Sequence, residues 1–117
     1  MVLLEAGMPI NLSTVDPREP SYALVEVSIK YFSDVEGVSD VNAKIDFNTP
    51  NMQEIIITYF MAMDVEEFSR FGTKARAKED LKNELNEYLL TTISGESNRR
   101  RAHEIVYDVI FSAWNFQ

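Results

Sequence analysis

From Tyr22 to Phe32 the chain alternates without a break. Ala23, Val25, Val27, Ile29 and Tyr31 fall on one side, with Glu26, Ser28 and Lys30 on the other. Successive side chains of a strand point to opposite faces, so this period of two, rich in β-branched residues, specifies a strand with one buried face. A second alternating run closes the chain from Ala102 to Phe116. It sets Ile105, Tyr107, Val109, Phe111 and Ala113 against Val106, Asp108, Ile110, Ser112, Trp114 and Phe116. A short extended stretch, Met8–Thr14, comes before the first long strand, and Val15–Ser21, with Pro17 and Pro20, predicts the tight loop between them. The first two strands should therefore form an antiparallel pair.

Between the long strands the period changes to that of helices. Val38, Val41 and Ile45 recur at helical spacing behind Ser33 and Asp34, either of which can accept from free backbone N–H groups as an N-cap. That helix is expected to stop near Phe47-Asn48. Thr49-Pro50 then predicts a fresh start, since proline at the first helical position loses an N–H that had no partner anyway. The helix after it, Asn51–Met63, is apolar almost all round and should be deeply buried. Asp64-Val65-Glu66-Glu67 reads as a capping box opening a short helical turn that ends at Phe71-Gly72. Thr73 caps a long amphipathic helix to about Thr92, with Leu81, Leu85, Tyr88 and Leu89 in one stripe and a charged face expected to be solvated. The prediction is an α+β domain of order β-β-α-α-α-β, with a three-stranded sheet packed against helices in a single unit over residues 1–117.

The side chains needed for most chemistry are missing. The chain has no cysteine, which removes disulfides, Cys-ligated zinc, iron–sulfur clusters and thiol nucleophiles together. Its one histidine, His103, starts a predicted strand beside Glu104, and strand neighbours point to opposite faces, so the carboxylate cannot orient the imidazole as a base. Glu66-Glu67 and Glu79-Asp80 lie in early helical positions, where carboxylates complement the helix dipole. Four scattered glycines make no phosphate-cradling loop, and no serine sits in a nucleophile elbow. No catalytic residue, cofactor or metal is expected. A net charge of −8 repels nucleic-acid phosphates and anionic headgroups, which argues against both as general partners. Neither Ile55–Met63 nor Ile105–Trp114 approaches the roughly 18 apolar residues that span a bilayer, and Met1–Met8 lacks the basic start of a signal peptide. Any membrane anchor is expected ahead of Met1, with residues 1–8 as linker.

Two features suggest a partner surface. Arg99-Arg100-Arg101 is a basic corner on an acidic body, which reads either as a solvated loop or as an electrostatic contact with an acidic face of another copy or partner. The last strand carries large apolar residues on both alternating faces. Its outer face would hold either Trp114 and Phe116 or Tyr107 and Phe111, and would be covered by the N-terminal segment or by a partner. A partner is the preferred alternative, and Arg99, Arg100, Arg101, Trp114 and Phe116 are the candidate contact residues.

These elements, taken in order, resemble the FliL family. The resemblance rests on Ile10-Asn11-Leu12, on Tyr22–Ile29, and on the helix opening Thr49-Pro50-Asn51-Met52-Gln53-Glu54-Ile55-Ile56. It continues with Gly72 ahead of a long helix, Leu81-Lys82-Asn83-Glu84-Leu85-Asn86, and the ending Ile105–Phe111 through Phe116-Gln117. It covers roughly Met8 to Gln117. Departures are Met61-Ala62-Met63-Asp64, where the family carries a Leu-Ser-Lys type of segment, and the basic loop Ser94–Arg101. The resemblance implies a single-pass inner-membrane protein of the flagellar basal body whose C-terminal domain faces the periplasm or outer side and has a stomatin/prohibitin-like core. It further implies a homo-oligomeric ring around the stator units, contact with stator subunits and the basal-body ring, and support of torque and swarming. No catalytic residues come with it. A stomatin-like scaffold for another ion-conducting complex, and a small-ligand or peptide-binding module, are the rival expectations.

Overall fold

The computed structural model describes residues 1–5, 7–14, 18–93 and 104–117. Strands β1 (Val2–Leu4), β2 (Ile10–Leu12) and β3 (Ser21–Tyr31) come first, followed by helices α1 (Val41–Met61), α2 (Val65–Ser69) and α3 (Thr73–Ile93), and then strand β4 (Val106–Phe116). The class is the expected α+β, with an antiparallel sheet on three helices.

The long alternating segment β3 is the spine of the sheet. It pairs with β4 from Ala23↔Phe116 to Tyr31↔Val106. Since β4 covers that whole edge, β2 (opposite residues 21–23) and β1 (opposite residues 27–28) share the other edge end to end. The sheet thus has four strands, not three. The extra strand is Val2–Leu4, expected to be linker: Leu3 and Leu4 are both buried, and Gln53 Nε2 donates to the Leu3 carbonyl at 2.8 Å. Three residues are too few to reveal a period. A register shift between Val2 and Leu4 also breaks the alternation that would have marked them as strand.

Helix α1 corrects the expectation of two helices. It runs unbroken through Pro50, although an interior proline costs about 3 kcal/mol of helix stability. A continuous buried stripe, Val41, Ile45, Asn48, Met52, Ile56 and Phe60, crosses the proline. Burial of each large apolar side chain is worth roughly 1.5–3 kcal/mol, so the three beyond Pro50 more than offset its cost. In the turn before the proline, Thr49 Oγ1 donates to the Ile45 carbonyl at 3.0 Å and Asn48 Nδ2 to that of Lys44 at 2.8 Å. Thr49 is therefore no cap. The cap is Asp40, in the left-handed region at φ 50°, whose carboxylate accepts from Ala43 N. Residues 35–38, expected in that helix behind a cap at Ser33 or Asp34, instead form a turn closed by Val38 N donating to the Val35 carbonyl.

The later helical signals match their sequence. Asp64 caps α2 by accepting from Glu67 N at 2.7 Å, and Gly72 takes the positive φ of 89° that an L side chain disfavours. Thr73 opens α3 and donates its hydroxyl to the Glu67 carbonyl at 2.6 Å. Helix α3 is fixed to the last strand by Asn86, which is buried. Its Oδ1 accepts from both Ile105 N and Val106 N, and its Nδ2 donates to the Val106 carbonyl, each at 2.8 Å.

The doubly apolar look of β4 comes from two irregularities in its ladder. Glu26 faces Ala113 while Val27 faces Phe111, which leaves Ser112 as an extra residue; Tyr107 is extra in the same way between Val106 and Asp108. Each bulge shifts the alternation by one residue. As a result Val106, Val109, Phe111, Trp114 and Phe116 all lie opposite the inward residues Tyr31, Ile29, Val27, Val25 and Ala23. Phe111, Trp114 and Phe116, assigned from sequence to two faces, thus share the helix-covered one, while Tyr107 stays exposed at its bulge and Ile110 lies opposite the outward Ser28.

Candidate partner groove between the two long helices

Helices α1 and α3 lie antiparallel, as two cross-links show. Tyr88 of α3 donates its hydroxyl to Asn48 Oδ1 at 2.7 Å and accepts from Asn51 Nδ2 at 2.8 Å, while Tyr59 donates to Asp80 Oδ2 at 2.7 Å. Asn51, Glu54, Ile55, Thr58 and Tyr59 of α1, and Ala62 at its C-cap, follow one another at helical spacing. Arg76, Asp80, Glu84, Glu87 and Tyr88 do the same along α3. The two stripes wall an open groove of about 890 Å³. From Asn51 to Ala62 it runs roughly 17 Å at about 1.5 Å per residue. Met63 and Glu67 close one end of the lining. Ile55 and Tyr59, both packed against the core, give it an apolar floor.

The charge in this groove is one-sided. Five carboxylates line it against one guanidinium. The cation sits at the α2 end, where Arg76 reaches Glu67 at 2.8 Å and Asp80 at 3.9 Å. Burial and the neighbouring Asp80 carboxylate push the Tyr59 phenol well above its ordinary pKa, so Tyr59 stays a neutral donor. The stretch between the cross-links holds Glu54, Glu84 and Glu87, and none of these has a basic partner among the described residues. Partial burial, then the charges of Asp80 and Glu87, raise the Glu84 carboxyl above its ordinary value. The groove can bind cations over an apolar floor. Among the described residues no group of three or more His, Cys, Asp or Glu is placed to hold a metal ion.

The residues singled out from sequence lie elsewhere. Arg99, Arg100 and Arg101 fall outside the described residues, as does His103. Trp114 is half-buried at the corner where β4 meets α1 and α2, stacked on Phe68 with centroids 4.5 Å apart and planes 3° from parallel. Phe60 and Phe111 pack edge-on to the same ring. Phe116 contacts the edge of this cluster through Phe68 and stays half exposed. Sequence reasoning missed the groove acids. Asp80, Glu84 and Glu87 recur at i, i+4 and i+7, but their significance depends on Glu54 arriving from another helix. Other large apolar side chains at the surface include Phe47 and the fully exposed Phe71. No described helix is long and apolar enough to cross a membrane.

A search of curated proteins returns no match. A family model described as flagellar basal body-associated protein FliL matches residues 1–117. The chain belongs to the FliL family of flagellar basal body-associated proteins.

Proposed function

We propose that this chain is an accessory protein of the bacterial flagellar motor that assembles around the stator units and stabilises or recruits them, supporting torque generation and swarming. The observation that carries this reading is the family match along the whole chain. In this reading the domain lies in the periplasm or on the outer face, tethered by a single helix that precedes the sequence described. Its stomatin/prohibitin-like core takes part in a homo-oligomeric ring. The Arg99–Arg101 run and the Trp114/Phe116 corner are its proposed contacts with stator subunits, the basal-body ring or a second copy. A tether raises local concentration, so ring contacts can be weak in the isolated domain.

The test is co-purification of the membrane-anchored protein with stator subunits from motile cells. Stator subunits among the recovered partners are the expected result. Abundant recovery of another membrane complex without them would favour the scaffold alternative and overturn the stator reading. Replacing Arg99, Arg100 and Arg101 by Ser should weaken self-association in analytical ultracentrifugation. An unchanged association constant would remove those residues from the contact.

A further inference from the structure

The groove between α1 and α3 combines three properties that a stable folded surface has no need of together. It is long and concave, its floor is apolar, and its middle carries carboxylates that have no basic partner among the described residues. The third property works against the fold. Like charges at i, i+3 and i, i+4 destabilise a helix, and Asp80, Glu84 and Glu87 repeat that conflict twice along one line. Partial burial of Glu84, and after it the charges of Asp80 and Glu87, raise its carboxyl above the ordinary value. A lysine at any of these positions would relieve the repulsion, and α3 places its three lysines, Lys74, Lys78 and Lys82, away from the groove lining. Local conflicts of this kind are expected at functional sites.

We infer that this groove is the docking site for a cationic amphipathic segment of a partner protein, bound as a helix. Its apolar side chains would lie on Ile55 and Tyr59, and its lysines or arginines would meet Glu54, Glu84 and Glu87. Charge complementarity selects the occupant. The groove admits a basic segment and rejects an acidic one, and an apolar floor favours a segment with an apolar face over a small hydrophilic cation. The roughly 17 Å between the ends matches about three turns of helix. Both cross-links, Tyr88 with Asn48 and Asn51 and Tyr59 with Asp80, hold the walls in place before binding, so little ordering is required of this side. The inference rests on the accessory-protein reading only in requiring a protein partner; it does not depend on which complex that partner belongs to.

The experiment uses the purified chain and a synthetic peptide of about 14 residues, three to four helical turns, with leucines along one face and lysines flanking them. Binding is followed by fluorescence anisotropy and mapped by amide chemical-shift changes. The expected result is saturable binding, with shifts concentrated in residues 51–62 and 76–88. Affinity should fall as salt rises toward about 1 M, where screening shortens to roughly 3 Å. The Glu54→Lys/Glu84→Lys/Glu87→Lys variant should bind at least about tenfold more weakly, because three attractive charge contacts become repulsive. These side chains are exposed, so the variant is expected to keep its circular dichroism. Thr58→Trp, which fills the groove and leaves every charge in place, should also weaken binding and keeps the test valid if the triple variant misfolds. Three results overturn the inference: equal binding of a scrambled peptide without an apolar face, shifts mapping outside the groove, or unchanged affinity in Thr58→Trp. Loss of self-association in the charge-reversed variant without any peptide binding to the native chain would assign the groove to a second copy, and also overturns it. Failure to recover stator subunits from cells bears on none of these readouts.

Discussion

The two flanks of α3 carry similar numbers of charges and use them in opposite ways. Toward β4, Lys78 meets Asp108 at 3.5 Å, and Lys82 meets Glu104 at 3.4 Å and Glu79 at 3.7 Å. Between these pairs Asn86 satisfies three backbone groups at the start of β4. Toward α1, Asp80, Glu84 and Glu87 line up without a lysine, and two tyrosines do the cross-linking. The first flank is a closed seam, its two lysines paired with carboxylates at the surface and the buried Asn86 holding the backbone of β4. The second is an open one, cross-linked at Tyr59 and Tyr88 and charge-paired at its Arg76 end. One helix thus shows how a chain separates charge that positions its elements from charge left for something outside it.

The comparison predicts that damage to the seam costs far more than damage to the groove. Asn86→Ala is expected to have the largest effect. It leaves two N–H groups and one carbonyl of residues 105 and 106 buried without partners, at about 1–3 kcal/mol each. Urea denaturation should show a loss of at least about 3 kcal/mol. A loss below about 1 kcal/mol would mean that the seam re-forms without Asn86. Trp114→Ala comes next, at about 2–4 kcal/mol, because the ring is half-buried against Phe60, Phe68 and Phe111. This variant would confound any binding assay at that corner, so Phe116→Ser, at about 1 kcal/mol or less, is the better probe there.

Tyr59→Phe is expected to cost only about 0.5–1.5 kcal/mol, the value of one hydrogen bond, since Asp80 keeps Arg76 nearby. The smallest stability effect should be a gain. Glu84→Gln removes two like-charge contacts, each worth about 0.2–0.5 kcal/mol on a helix. Its pH dependence has a definite sign. The folded chain holds the Glu84 proton more tightly than the unfolded chain does, so ionising this group weakens the fold. The penalty is fully present above the folded-state pKa and disappears as pH falls below the ordinary carboxylate value of about 4.3. The advantage of Glu84→Gln over the native chain should therefore be seen at pH 7 and be gone by about pH 4. An advantage that persists undiminished at low pH would show that repulsion is not its source.

Where local chemistry governs, the sequence is legible. Period two marks β3, Asp64 caps α2, Gly72 takes the left-handed turn, and Leu81, Leu85 and Leu89 mark the buried stripe of α3. It misleads where tertiary packing overrides a local rule. Pro50 should open a helix but lies inside one, because a buried stripe on both sides outweighs its cost. The last strand looks apolar on two faces because Tyr107 and Ser112 bulge, and a bulge has no sequence signature in an alternating run. Residues 2–4 are too short to show a period at all. The groove was hidden for a further reason. Glu79-Asp80 is a plausible dipole-complementing pair on its own, and only the antiparallel packing of α1 brings Glu54 and Tyr59 opposite it.

The most direct measurement of the contrast between the flanks pairs stability with binding in one variant, Glu84→Gln/Glu87→Gln. The expected result is a thermal midpoint equal to or above that of the native chain, together with weaker binding of the lysine-bearing amphipathic peptide. A lower midpoint with unchanged peptide affinity would contradict it, because the groove carboxylates would then stabilise the fold and leave the partner unrecognised.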